Sequence, residues 1–194
     1  MRKFKDKISR RGAEIVAYDI AYLLNKLNKT SQLSALSAPL REIINRMKFI
    51  KETIIKAAPE KVFAFHELPD AFERLVPPWE NAKIIQKADI TKIGSQAIIE
   101  QKIFGLIPSR WVAEHTKYEP PKMFEDVQIS GPFASWRHEH IILPHANGAI
   151  LRDEIEFEPP LWFLGAIVAP FAIVPKLEKM FDFRHEVTRK WCEQ

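Results

Sequence analysis

The chain has 194 residues, 46% apolar and 28% charged, which is enough for one domain with a full core and excludes disorder throughout. Its one cysteine, Cys192, excludes an intramolecular disulfide and a cysteine-based zinc site. The net charge of +4 is uneven: residues 1–46 carry ten Lys/Arg against four Asp/Glu, and the remainder carries 19 against 21, so the main body offers no electrostatic case for nucleic acid.

In the N-terminal segment, Ala13, Val16, Ile20, Leu23, Leu24 and Leu27 recur at three- and four-residue steps, which predicts an amphipathic helix over 13–27. Asp19 interrupts its apolar run and no small-residue cleavage site follows, so a secretory signal is disfavoured and a cytoplasmic location is expected. Such a helix packs on a neighbouring surface or lies on an anionic membrane. Residues 30–39 (TSQLSALSAP) read as a linker. The expected division is a basic helical extension over 1–46 and a main domain over 47–194, with Met47 an alternative start.

The main domain opens with a strand over Phe49–Ile55. A short helix follows from Pro59 through Phe65, with proline at a position where its missing N–H does no harm. A second runs from Asp70 to Leu75 and is stopped by Pro77-Pro78. Six strands come next, over Ala82–Lys87, Gln96–Phe104, Arg110–Tyr118, Met123–Ser130, Phe133–Leu143 and Ala149–Phe157, each bounded by Gly, Pro, Asn or Asp. Their even spacing predicts an antiparallel meander.

Alternation along the fifth of these puts Trp136, His138, His140 and Ile142 on one face and Ser135, Arg137 and Glu139 on the other. Asn147-Gly148 reads as a two-residue hairpin loop, which sets Ala146 opposite Ala149, Ile142 opposite Asp153, His140 opposite Ile155 and His138 opposite Phe157. Leu151, Asp153, Ile155 and Phe157 then share the face of the histidines, while Arg152, Glu154, Glu156 and Glu158 point away. A lone carboxylate on an apolar face is costly, so Asp153, diagonal to His140, requires a partner.

The uncharged run 159–175 is broken by Gly165 and Pro170, which argues against a continuous membrane span and for a buried or membrane-touching loop. A long terminal helix follows, with Ile173, Leu177, Met180, Phe181, Arg184, Val187 and Trp191 near one stripe, expected to lie against the concave face of the sheet.

This order of elements resembles the helix-grip fold of the START and Bet v 1-like (SRPBCC) superfamily. Local pieces carry the resemblance too: Lys51-Glu52-Thr53, Pro59 to Phe63, Trp111, Phe124 to Gln128, Gly131-Pro132-Phe133, Trp136 to His140, Asp153-Glu154-Ile155 and Phe181 to Arg184 look like the bacterial cyclase/dehydrase-like branch. The resemblance covers about Met47 to Trp191. It implies an α+β fold, a curved antiparallel sheet wrapped around the terminal helix, and an internal cavity for lipids, quinones or polyketide-like rings. The glycine-rich loop of the plant allergens is not evident over residues 89–95 (DITKIGS), so plant ligands do not carry over.

The expected cavity wall is Trp111, Phe124, Trp136, His138, His140, Ile142, Leu151, Asp153, Ile155 and Phe157, with core packing the plainer reading for Trp111, Phe124 and Trp136. His138, His140 and Asp153 are the candidate acid–base groups of an enzymatic alternative, a cyclase or dehydratase. The plainer reading of His140 and Asp153 is a satisfied structural pair. His138-x-His140 puts two imidazoles about 7 Å apart along a strand, but where a cupin-like pattern wants a glutamate, Pro144 and His145 stand. No third ligand is in view, so no metal and no cofactor is expected. The expected partner is a hydrophobic small molecule, with peripheral membrane contact through 13–27 or 159–175 and no nucleic acid.

Overall fold

The computed structural model describes residues 46–103, 107–159 and 170–194. The chain divides into two units, Met1–Asn45 and Arg46–Gln194, and the second is described here. The helix expected over 13–27, the linker over 30–39 and residues 160–169 of the uncharged run lie outside the described residues.

Strand β1 (Met47–Ile55) is followed by helices α1 (Pro59–His66) and α2 (Ala71–Leu75). Then come strands β2 (Lys83–Gln86), β3 (Gln96–Ile103), β4 (Ile107–Glu119), β5 (Met123–Ser130), β6 (Ser135–His145) and β7 (Gly148–Glu158), and the terminal helix α3 (Val174–Cys192). The strands form one antiparallel sheet in the order β1-β7-β6-β5-β4-β3-β2. Six successive strands pair as a meander, and β1 joins the far edge beside β7, so the two short helices bridge the sheet from one edge to the other. This is the helix-grip fold.

Several strand boundaries differ from expectation by one to three residues, and the two ends of β6 differ for local reasons. Strand β6 begins at Ser135 and not at Phe133, because the Gln128 side chain donates to Phe133 O (2.8 Å) and accepts from Phe133 N (3.4 Å). That clasp holds the 131–134 bend outside the ladder. At its other end β6 runs on to His145; Pro144 is accommodated there because the pairing with β5 ends at Ile141.

The hairpin register also differs, by two residues. His145 pairs with Gly148, Ile142 with Leu151, His140 with Asp153, His138 with Ile155 and Trp136 with Phe157. Ala146 and Asn147 form the loop, and Gly148 is the first residue of β7. Gly148 has φ +131°, and a Cβ there would stand 2.2 Å from Ile55 O and 2.8 Å from Ala57 N. The glycine therefore serves the close approach of the chain leaving β1 and not the centre of the turn. A shift of two preserves parity, so the face assignments stand while the partners change.

On α3 the buried stripe is Leu177, Phe181, His185, Thr188 and Cys192, and Ile173 occupies the N-cap position. The stripe keeps Leu177 and Phe181 of the expected one and is turned away from Met180, Arg184, Val187 and Trp191. The turn brings His185 inward. Phe181 packs on Phe49 and His138 of the sheet, with ring centroids 5.6 and 5.3 Å apart. At the α1 end, Val62, Phe63 and Phe65 close a core with Ile55, Phe124, Ile142, Ala149, Leu151 and Cys192. The other face of the sheet carries a charge network in which Glu125, although buried, accepts from Thr116, Lys117 and Arg137.

Candidate functional site

Cross-strand pairing sets the site. His115, Asp126, His138 and Ile155 form one row across β4 to β7, and Phe124, His140 and Asp153 form the next across β5 to β7. Because each pair shares a face, the two rows place a band of imidazoles and carboxylates across the middle of the side that meets α3. On one side of the band lie Trp111, Phe133, Trp136 and Phe157, in aromatic contact at 4.8–6.0 Å. On the other lies the core around Phe124, Ile142 and Leu151.

All ten residues expected to line a cavity lie on this face. Ile142, Leu151, Ile155 and Phe157 are fully buried, and Phe124, Trp136, His138 and Asp153 nearly so. Trp111 and His140 are half-buried. Phe124 lies flat on His140, with centroids 4.1 Å apart and 12° between planes, which fixes that imidazole's orientation.

Asp153 has three imidazole partners. Its Oδ1 accepts from His138 Nε2 at 2.8 Å and lies 2.7 Å from His140 Nδ1; its Oδ2 accepts from His185 Nε2 at 2.5 Å. His185 in turn accepts through Nδ1 from the Thr53 hydroxyl, 2.8 Å away. His140 is therefore directly opposite Asp153 and not diagonal to it, and the strongest clasp joins sheet to helix. The expected need for a partner is met three times over.

Asp126 is the second carboxylate of the band. Its Oδ2 is 3.4 Å from both His138 Nδ1 and His140 Nε2. Burial raises its pKa, but the two imidazoles outweigh that effect and hold the carboxyl well below its ordinary range. Asp153 is likewise held low against burial, by His140, His138 and His185. For His138, burial opposes the charged form, and Asp126 and Asp153 together overcome it, raising its pKa to about 9. His66, at the margin, is the converse case. Burial, then the neighbouring His140, drives it down to about 3, and its Nδ1–H donates to Val62 O at 2.9 Å.

Asp126, His185, Thr53, His66 and His115 were not among the residues expected from the sequence. The signal for Asp126 was present, since parity along β5 puts it beside Phe124 and Gln128 on the inner face. His185 lies four residues after Phe181 on the same helical face. Two further polar atoms, Trp111 Nε1 and His115 Nδ1, are buried without a hydrogen-bond partner among the described residues. Elsewhere, a groove of about 610 Å³ runs along the outer side of α3 between Trp79, Lys179 and Phe183, away from this band.

Residues 55–178 match the family model described as polyketide cyclase / dehydrase and lipid transport. Solved structures of similar fold include protein CV1439 from Chromobacterium violaceum, at TM-score 0.57 and 15% identity over 76% of this chain and 98% of that one. The di-domain ARO/CYC StfQ from the steffimycin biosynthetic pathway matches at TM-score 0.64 and 12% identity over 80% of this chain and 54% of that one. Ginseng major latex-like protein 151 from Panax ginseng matches at TM-score 0.56 and 12% identity over 77% and 99%. At such identities the likeness is one of fold. A search of curated proteins returned no match. Meander, crossing edge strand, clasped terminal helix and the match over 55–178 agree: this chain belongs to the polyketide cyclase/dehydrase and lipid transport family of the SRPBCC (START/Bet v 1-like) superfamily.

Proposed function

We propose that the protein binds a hydrophobic small molecule, of the lipid, quinone or polyketide-ring kind, against the helix-facing side of the sheet, and serves to sequester or carry it. The observation that carries this reading is a pair of buried polar atoms on β4, Trp111 Nε1 and His115 Nδ1, that have no hydrogen-bond partner among the described residues. Buried polar groups almost always find a partner. Here they border an aromatic wall, where an apolar molecule with an oxygen at one end supplies both the contact area and the acceptor. The family's description and StfQ's place in the steffimycin biosynthetic pathway support the ligand class.

Mass spectrometry of organic extracts of the native protein, with displacement of a fluorescent apolar probe by fatty acids, quinones and aromatic polyketides, tests the reading. Trp111→Phe keeps an aromatic side chain, smaller than the indole, and loses the N–H; it weakens acceptor-bearing ligands by at least about fivefold, the worth of one neutral hydrogen bond. No copurifying lipophile together with no saturable displacement would refute it.

A second reading, acid–base catalysis of a cyclase or dehydratase kind, is favoured by the Asp153 oxygen shared between His138 and His140. It requires turnover that disappears in His140→Ala while ligand binding persists. Carriage at a membrane surface is favoured by Phe171, 82% exposed within the uncharged run. Among the described residues no helix is long and apolar enough to cross a membrane. Failure to sediment with anionic liposomes at low salt counts against surface contact.

A further inference from the structure

Three side chains of the polar band, Asp126, His138 and His140, converge on one place. Asp153 Oδ1 is an acceptor only; His138 Nε2 donates to it at 2.8 Å, and His140 Nδ1 stands 2.7 Å from it. With one proton on each ring, the form in which a histidine binds a metal, and that proton on the side of Asp153, the opposite nitrogens, His138 Nδ1 and His140 Nε2, are lone pairs. Both are turned toward the ionised Oδ2 of Asp126, at 3.4 Å each. Three electron-pair donors facing one another in a buried site repel unless a cation stands among them.

In the metal-free protein a second proton on His138 is one such cation, although the 3.4 Å separations are longer than the roughly 2.7–2.9 Å of a charge-assisted N–H···O bond. That separation is instead the one between two ligands that each bind a tetrahedral metal at about 2.1 Å, which geometry puts about 3.4 Å apart. One donor atom from each of Asp126, His138 and His140 lies within 4.8 Å of the other two.

We propose that Asp126 Oδ2, His138 Nδ1 and His140 Nε2 form a binding site for one divalent transition-metal cation, of which zinc is the type. Two imidazole nitrogens and one carboxylate oxygen select zinc or cobalt over magnesium or calcium, which take oxygen ligands. Asp153 is the outer-shell carboxylate that orients both ligating imidazoles by their far nitrogens, the arrangement by which such ligands are commonly held. It is anchored by His185 and Thr53, and the flat stacking of Phe124 on His140 sets the remaining ring. The side chains of Asp126 and His140 keep 17% and 13% exposure, so a cation has an approach on their side. Three protein ligands leave a coordination position for water or for the polar end of a bound molecule. The site does not depend on whether a hydrophobic ligand is bound.

The test uses the full-length, tag-free protein stripped with a chelator. Zinc is titrated in competition with a chromogenic chelator, and cobalt is added in parallel for its visible ligand-field bands. The expected result is one metal per chain, a cobalt spectrum of tetrahedral or five-coordinate type, and a higher thermal midpoint with zinc. Asp126→Asn and His140→Gln each weaken zinc binding at least about tenfold, while His145→Ala, in the hairpin outside the band, leaves it unchanged. Absence of stoichiometric zinc binding or of cobalt bands in the wild-type protein overturns the proposal, as does binding by Asp126→Asn equal to wild type. Should Asp126→Asn fail to unfold cooperatively, His140→Gln and the wild-type cobalt spectrum decide the matter by the same criteria.

Discussion

Removing Asp153 tests the central clasp between sheet and helix. In the metal-free protein, Asp153→Ala leaves His138 Nε2, His140 Nδ1 and His185 Nε2 without the carboxylate they face, all within a nearly water-free band. Breaking a buried ion pair by deleting one member costs about 3–5 kcal/mol, and three affected partners put this substitution at the upper end. His185→Ala loses the bonds to Asp153 and Thr53 but leaves Asp153 its two sheet imidazoles. One charge-assisted hydrogen bond and the vacated space place it at about 2–4 kcal/mol. The double variant removes the shared bond once and not twice, so its cost falls short of the sum by about 1–3 kcal/mol. The same cycle with His140→Ala, expected at about 1–3 kcal/mol, gives a smaller coupling because His138 and His185 keep Asp153 satisfied. Equilibrium unfolding in urea with a chelator present, followed by far-UV circular dichroism and tryptophan fluorescence, yields all the terms. Additivity within about 0.5 kcal/mol for Asp153 and His185 would refute the clasp.

On the outer face, burial tends to raise the Glu125 pKa, but Thr116, Lys117 and Arg137 outweigh it and bring it down to about 2. With the folded pKa below the unfolded one, its contribution is complete above about pH 4.5 and fades as pH falls toward 2. Glu125→Gln should therefore flatten stability against pH in that window, and an unchanged acid limb would show that the network is not felt. Gly148→Ala should cost more than about 2 kcal/mol, since it sets a methyl against Ile55 O at a positive φ; a loss under 0.5 kcal/mol in urea unfolding would contradict the close approach. A chain beginning at Met47 is expected to unfold cooperatively at nearly the same thermal midpoint, and scanning calorimetry showing a lost transition would move the domain boundary into residues 1–46.

Much of the site was legible through parity alone. Face assignments along β6 and β7 need only the period of two, and they survived a register error because the error was even. The partners were not legible. Asn147-Gly148 matches a hairpin loop so well that local chemistry points there, whereas Gly148 answers a contact with Ile55 and Ala57, about ninety residues earlier. Asp126 escaped notice because a search for metal ligands along one strand cannot see the strand beside it. His185 was passed over because an apolar stripe is sought with apolar residues. What turns it inward is Asp153, 32 positions away in sequence.

The bond between His185 and Asp153 has a mechanical consequence for α3. An apolar helix face on an apolar sheet is a surface of many near-equivalent seats, and sliding one turn, about 5.4 Å, exchanges one set of hydrocarbon contacts for another. A single imidazole N–H seated on a single carboxylate has no second seat at that distance. The polar band acts as a detent that indexes the helix along its axis, between the aromatic cluster of Trp111, Phe133, Trp136 and Phe157 and the core around Phe63, Phe124 and Ile142. The helix can tilt about that point, and cannot translate without first drawing His185 off Asp153.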